Sequence, residues 1–407
     1  MSALKETQPG GSVPLGIVLS LCSVPAVMSA IVLVPIVPQL FQQFAGVKDA
    51  NFWIPALVAV PGLCTALLSP LAGYLGDKIG LRWPIVISLC LFSLFGAMPL
   101  ILNDFGTILA SRIALGVSQV VALVLSIALI GQLYQGAPRD KWLAIQTVAA
   151  TSSSLVVLPL SGFMAGTALG WHGSFLLFLS GLALAAAVAW HTRGIKTTAH
   201  TAASHTDAQT PWAWLLCYCV LTLVVGVFFF TTQFQFGLAL STAGAKDSGQ
   251  IGLLSAIAAV GIMLGSALFV QMKQLLGRLL LPCELLLCGI TLTLMPQFPA
   301  IAPLVVLAFF NLMACGMMLP TLVTAVAERM PDEVRGRGLG LWNSSFTFGQ
   351  FLSAAVVGML LNRAGTSILD AFAVLGIVAL TMSAIGMGSV LLRRSAKSET
   401  RAHPVKQ

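Results

Sequence analysis

One arginine and two acids lie inside long apolar stretches of this chain, where an ionised side chain is costly and needs a partner, water or a function. Arg112 sits eight positions beyond Asp104, with Gly116 one turn further along the same face and Gln119 beyond it. A guanidinium there could bind an anionic substrate group or tune a nearby proton site; the alternative is an arginine that snorkels to the outer membrane surface. Glu284, six residues beyond Arg278, and Asp370, near the start of the last apolar stretch, are the acids placed to carry a proton if burial moved their ionisation toward neutrality. Either could instead lie at the membrane interface. Asp104 and His172 are weaker candidates at the outer side.

A second group could bind a small molecule by hydrogen bonding. Thr147, Thr151 and Ser154 follow the spacing i, i+4, i+7, which puts all three on one helical face. Asn343, Thr347 and Gln350 repeat that spacing 196 positions later. In lipid such stripes face either a partner helix, as interhelical hydrogen-bonding groups, or a watery cavity. Residues 228–236 interleave phenylalanines with Thr231, Thr232, Gln233 and Gln235, and Asn311 stands near Met313, Met317 and Met318. Rings, thioethers and amides suit an adaptable site for amphipathic molecules, although facing lipid is the ordinary use of Phe and Met in a membrane. No acid lies in the middle of these segments, which counts against a specialist for cations.

The rest of the inventory excludes other chemistry. There is no catalytic triad, no metal-ligand cluster and no phosphate-cradling loop, so the reading is of a non-enzyme without metal or cofactor and without ATP-driven pumping of its own. His200 and His205 belong to a polar connecting segment. Cys217 and Cys219, two apart on a helix, point away from each other and do not make a metal pair. All eight cysteines fall in apolar stretches, which argues against a disulfide framework.

Hydrophobic residues form 57% of the chain and charged residues 8%, with a mean hydropathy of +0.95. An ordinary globular domain carries about a quarter charged residues. Twelve apolar stretches can be placed, near 15–40, 52–75, 84–102, 107–133, 143–168, 173–191, 212–238, 250–272, 279–296, 300–326, 338–361 and 368–392. Each is close to the roughly 20 helical residues that cross a hydrocarbon core. The ninth and tenth are parted only by Pro296-Gln297-Phe298-Pro299, the least marked boundary. The first stretch is too long for a cleavable signal and lacks a small-residue cleavage site.

An even count puts both termini on one side. The loops and tails of that side hold the basic clusters Lys78 and Arg82, Arg139 and Lys141, Arg329, Arg335 and Arg337, and Arg393 and Arg394, against Lys48, Lys246 and Arg363 opposite. By the positive-inside rule both termini are cytoplasmic, and the net charge of +8 reflects topology rather than nucleic-acid binding. The implied location is the plasma membrane, or the inner membrane of a Gram-negative cell, with the lipid bilayer as partner and a monomer as the expected state.

The polar segment at 192–211 divides the chain into a six-helix bundle at 1–191 and a second at 212–393, followed by a tail at 394–407. The 196-residue offset carries Arg82 onto Arg278, Arg139 onto Arg335, Lys141 onto Arg337 and Gly162 onto Gly358. Two parallel repeats with a site between them near the midplane is the architecture this implies, an all-α membrane protein.

The loop Gly73-Tyr74-Leu75-Gly76-Asp77-Lys78-Ile79-Gly80-Leu81-Arg82 resembles the signature loop of the major facilitator superfamily, departing from it at Leu81, where a basic residue is usual. Arg112 with Gly116, Pro35 with Pro38, and Arg335-Gly336-Arg337-Gly338 are similar to further motifs of that family. Pro159 to Gly162, before Gly170-Trp171-His172, resembles a degraded span-five antiporter signature with Leu158 and Ser161 where glycines are expected. The resemblance implies the major facilitator fold, alternating access, a small-molecule substrate and, through the drug:proton antiporter branch, proton-coupled multidrug efflux of amphipathic or anionic compounds such as drugs, metabolites or siderophore-like molecules. An uptake carrier or facilitator for a sugar or organic acid is the alternative. It also implies a cytoplasmic gate of Gly73, Asp77, Lys78, Gly80 and Arg82 with Arg335 and Arg337, in which Asp77 clamps the halves together.

Overall fold

The computed structural model describes residues 11–195, 211–362 and 366–402, without the side chains of residues 77, 332–337 and 393–402. Among the described residues, eleven helical stretches are long and apolar enough to cross a membrane. One of them, Ser248–Gln297, runs for 50 residues and is really two spans, because Gly277 takes φ 54° and turns the chain back. The weak boundary therefore falls between the eighth and ninth spans, not between the ninth and tenth. The sequence marks it by the polar residues Lys273, Gln274 and Arg278, and a glycine makes the turn.

The spans are α1 (Val13–Gln43), α2 (Ala50–Ile79), α3 (Arg82–Leu100), α4 (Phe105–Leu133), α5 (Ala137–Ala165), α6 (Gly170–His191), α7 (Trp212–Thr242), α8 (Ser248–Leu276), α9 (Leu280–Leu294, extended by a 3-10 turn Met295–Gln297), α10 (Ile301–Arg329), α11 (Asp332–Leu361) and α12 (Ile368–Ala402). No strand occurs among the described residues. α5 starts at Ala137 rather than near 143, because Pro138 at its first turn is an allowed helix start and carries a polar turn into the helix. α6 opens as a 3-10 segment, Gly170–Leu179, before becoming α-helical.

α1 is broken into Val13–Leu21, Val24–Ile31, Val34–Ile36 and Val37–Gln43 by Pro25, Pro35 and Pro38. Each proline removes a backbone donor, and in lipid the carbonyl left over must find another. The Val32 carbonyl accepts from the Ser161 hydroxyl of α5. In α10, Pro320 likewise leaves the Gly316 carbonyl without its helical donor, and Ser266 of α8 donates to it at 3.0 Å.

Contacts between helices repeat with a shift of six. In the first bundle α1 packs on α5, α2 on α4 and α3 on both α4 and α6; in the second α7 packs on α11, α8 on α10 and α9 on both α10 and α12. The bundles meet through α2 against α11 and α5 against α8, again equivalent pairs, with α1 reaching α7 and α8.

Candidate functional site

The meeting of the bundles is closest on the side opposite the termini. There a β-carbon on Gly162 of α5 would collide with the Ser248 carbonyl at the start of α8, and one on Gly358 of α11 would come within 2.8 Å of the Asn51 carbonyl and Phe52 Cα at the start of α2. These are the two glycines that the 196-residue offset pairs. Gly252 lies equally close to the Leu158 carbonyl, and Gln39 of α1 donates to Ser248 Oγ at 3.0 Å. Glycine is required at these crossings because the neighbouring atoms are backbone and cannot swing aside.

Along the same faces toward the basic side, the packing opens. In α5, Ser154 is 2% exposed, Thr151 half-buried and Thr147 exposed. In α11, Gln350 is buried against Gly62 of α2, Thr347 is half-buried and Asn343 exposed. Along both polar stripes burial thus gives way to exposure with distance from the closed contact. Their hydroxyls bond to their own helix, Thr147 to the Leu143 carbonyl at 3.1 Å, Ser154 to that of Thr151 at 2.7 Å and Thr347 to that of Asn343 at 2.9 Å. Their oxygens keep acceptor capacity for a guest.

Aromatic rings complete one wall. Phe346, between Asn343 and Thr347 on the α11 face, meets Phe230 of α7 at 4.9 Å and Phe229 at 5.6 Å between centroids, and Trp342 stacks on it at 6.2 Å. Residues 228–236 pointed to the α7 half of this cluster; the α11 half has no such run and is visible only once α7 and α11 are seen to pack. Gln235 and Thr231 are buried, and the carbonyl oxygens of Gln233 and Gln235 and the Thr231 hydroxyl have no hydrogen-bond partner among the described residues.

Other residues expected at a central site lie inside one bundle. Asn311 is fully buried and ties three helices of the second bundle: it accepts from Thr232 of α7 at 2.7 Å and donates to the Cys288 carbonyl at 3.2 Å and Thr291 Oγ1 at 3.0 Å, both on α9. Gln119 donates from α4 to the Pro61 carbonyl and to Thr65 Oγ1 of α2, each at 3.2 Å, and Gly116 lets α4 approach Pro61 and Cys64.

Arg112 has no exposed surface. Its guanidinium lies 5.2 Å from the centre of the Phe178 ring of α6, and none of its three nitrogens has a hydrogen-bond partner among the described residues. Arg112 is therefore held in the interior of the first bundle, by a cation–π contact, and not at a membrane surface. Among the described residues, the only other charged side chain buried to this degree is Glu284, in the second bundle. Asp370 is exposed and forms a capping box at the start of α12, accepting from Ser367 N at 2.9 Å and Ser367 Oγ at 2.7 Å, while Asp370 N donates to Ser367 Oγ at 3.2 Å. Asp104 caps α4 through Thr107 N at 2.9 Å, and His172 meets Asn103 at 3.2 Å.

Of the expected gate, Gly80 ends α2 at φ 81°, a position that favours glycine. Arg82 donates to the Ala189 carbonyl of α6 at 3.2 Å, within its own bundle, and Lys78 lies over the Tyr74 ring at 4.7 Å. Gly73 faces open space. The side chains of Asp77, Arg335 and Arg337 lie outside the described residues, as do Arg363 and both linker histidines.

The family model of the Major Facilitator Superfamily matches residues 19–280 and 246–407. The chain belongs to that superfamily. A relative, the uncharacterized MFS-type transporter YceJ of Bacillus subtilis (strain 168), is 25% identical over 334 residues, covering 80% of this chain and 84% of its own length. Among solved structures, a bacterial homolog to the human lysosomal transporter Spinster, in an inward-facing and occupied conformation, superposes with a TM-score of 0.74 at 14% identity, covering 92% of this chain and 97% of that one. The D-xylose-proton symporter superposes with a TM-score of 0.71 at 17% identity, covering 92% and 96%. Such identities establish the fold: this major facilitator protein is a membrane transporter with twelve spans in two related bundles.

Proposed function

We propose that this superfamily member is a proton-coupled exporter of small amphipathic compounds that works by alternating access in the plasma membrane, or in the inner membrane of a Gram-negative cell, with both termini cytoplasmic. The observation that carries the substrate class is the cluster of Phe229, Phe230 and Phe346 beside Asn343 and Thr347 of the α11 stripe. Rings take the apolar part of a guest, and the exposed hydroxyl of Thr147 and amide of Asn343 take its polar groups. The full enclosure of Arg112 disfavours the anionic alternative, because a carboxylate in the central space does not reach a guanidinium sealed within one bundle. In this reading the structure is the inward-facing state: glycine contacts close the outer side while the stripes open toward the cytoplasm. Asp77 with Arg335 and Arg337 would fasten the cytoplasmic side in the opposite state.

The test is transport by purified protein in vesicles of both orientations under an imposed pH gradient, with a panel of neutral and charged fluorescent dyes, carboxylates and sugars. Expected is uphill movement of an amphipathic dye in the direction opposite to the proton flow, abolished by a protonophore. Movement of a sugar in the same direction as the proton would replace export with symport, and movement insensitive to the gradient would remove coupling.

A further inference from the structure

We infer that Glu284 is the proton-exchange site of this chain and that it trades its proton with the solution on the basic side through a cavity inside the second bundle, separate from the space between the bundles. The role in coupling rests on the proposed function; the site and its route rest on the following geometry. Glu284 lies one turn into α9 and is 2% exposed. Oε1 accepts from Thr321 Oγ1 of α10 at 2.8 Å, and Oε2 has no hydrogen-bond partner among the described residues. A buried carboxylate with a free oxygen is not a structural ion pair, and nothing described nearby is placed to neutralise it.

Directly on the other side of Thr321 is a cavity of about 920 Å³ between α7, α8, α9, α10 and α12. Tyr218, Lys273, Arg278, Thr321, Glu328 and Ser389 supply its polar lining. Lys273 and Glu328 pair at 2.7 Å and are themselves well exposed, so the cavity opens to water on the basic side. It is large enough for a chain of waters. These groups, with the thiols of Cys288 and Cys315, are the titratable and charged neighbours; among the described residues no charged side chain of α12 lines the cavity.

Thr321 is built to serve both protonation states. Its hydroxyl has one hydrogen and two acceptors in range, Glu284 Oε1 at 2.8 Å and the Met317 carbonyl at 2.9 Å. With Glu284 ionised the hydrogen points to Oε1. With Glu284 protonated it turns to the Met317 carbonyl, and the hydroxyl oxygen accepts from the carboxyl. A hydronium in the cavity can thus give its proton to the carboxylate, leaving water, and the reverse step returns it; no other bond is made or broken. Beyond Glu284 on the same face of α9 come Cys288 and Thr291, then Asn311 and Thr232, a run of polar groups inside the second bundle that reaches α7.

The test is infrared difference titration of the lipid-reconstituted protein, which reads carboxyl protonation without a substrate. A carboxylic-acid C=O band that disappears as pH rises should be absent in Glu284→Gln and shifted in frequency in Thr321→Val. Ala325→Trp, which fills the cavity, should slow that band's response to a pH jump by about tenfold or more while leaving the band in place. The proposal is overturned if the band survives in Glu284→Gln, or if Ala325→Trp responds as fast as wild type, which would route the proton through the space between the bundles. If all three spectroscopic results hold and no dye moves under a pH gradient, the site and route stand and the export reading fails instead.

Discussion

Placing one methyl group at Gly162 should shift the transporter away from the state seen here. An alanine β-carbon at that position would collide with the Ser248 carbonyl oxygen and lie 2.9 Å from its carbon and 3.1 Å from Gly249 Cα. All three are backbone in the first turn of α8, so relief requires the two bundles to separate there. Overpacking of this kind costs about 1–3 kcal/mol. The cost falls on the conformation closed at the side opposite the termini and vanishes when α5 and α8 part, so the equilibrium should move about 5- to 150-fold toward the opposite state. Spin labels on Thr147→Cys and Asn343→Cys, in a background with the native cysteines replaced, report the separation of the stripes by pulsed electron resonance. Gly162→Ala should add a population with a shorter distance. Gly166→Ala, one turn further on, is the control: its β-carbon meets nothing nearer than 3.4 Å. An unchanged distance distribution in Gly162→Ala, with the protein still folded, would refute closure by glycine contact.

Three further outcomes follow from the same structure. Arg112→Met should be neutral or stabilising in thermal unfolding, because a buried cation without a hydrogen-bond partner is exchanged for an apolar side chain of similar length, yet should abolish transport; a normal transport rate would make Arg112 dispensable. Asn311→Leu strands the Thr232 hydroxyl, whereas that of Thr291 still donates to its own helix, and should cost about 1–3 kcal/mol for the one group left unsatisfied, seen as a lower melting temperature that Asn343→Leu does not share. Asp77→Asn should reduce turnover of a transported dye while leaving its binding affinity intact, since a gate biases conformations without touching the guest; wild-type turnover would remove the clamp.

Much of the architecture was legible in hydropathy, because an apolar run of helical length has few alternatives in a bilayer. The offset that pairs Gly162 with Gly358 also held meaning: these two glycines make equivalent contacts between the bundles. What the sequence did not show depends on partners far apart in the chain. Nothing local says that Thr321 will sit against Glu284, or that Phe346 will close the ring cluster begun by Phe229. Asn311 reads as a cavity residue because it is a lone amide in an apolar helix; its hydrogen bonds to α7 and α9 turn it inward, and only the register of α7, α9 and α10 decides that. The break at Gly277 falls inside the boundary read between 272 and 279, where Lys273 and Arg278 interrupt the apolar run.

The two glycine crossings have a consequence for ancestry. Gly162 of the first bundle fits against the start of α8, and Gly358 of the second against the start of α2. Each half therefore carries one protruding surface and one receiving surface, and the two junctions are the same junction made twice. A half-length protein with this sequence pattern would be self-complementary, able to join a second copy across a two-fold axis with both junctions closed at once. Fusing such a pair into one chain frees each surface to diverge, and that is how a single polypeptide can keep a symmetric closure while placing Arg112 in one half and Glu284 in the other.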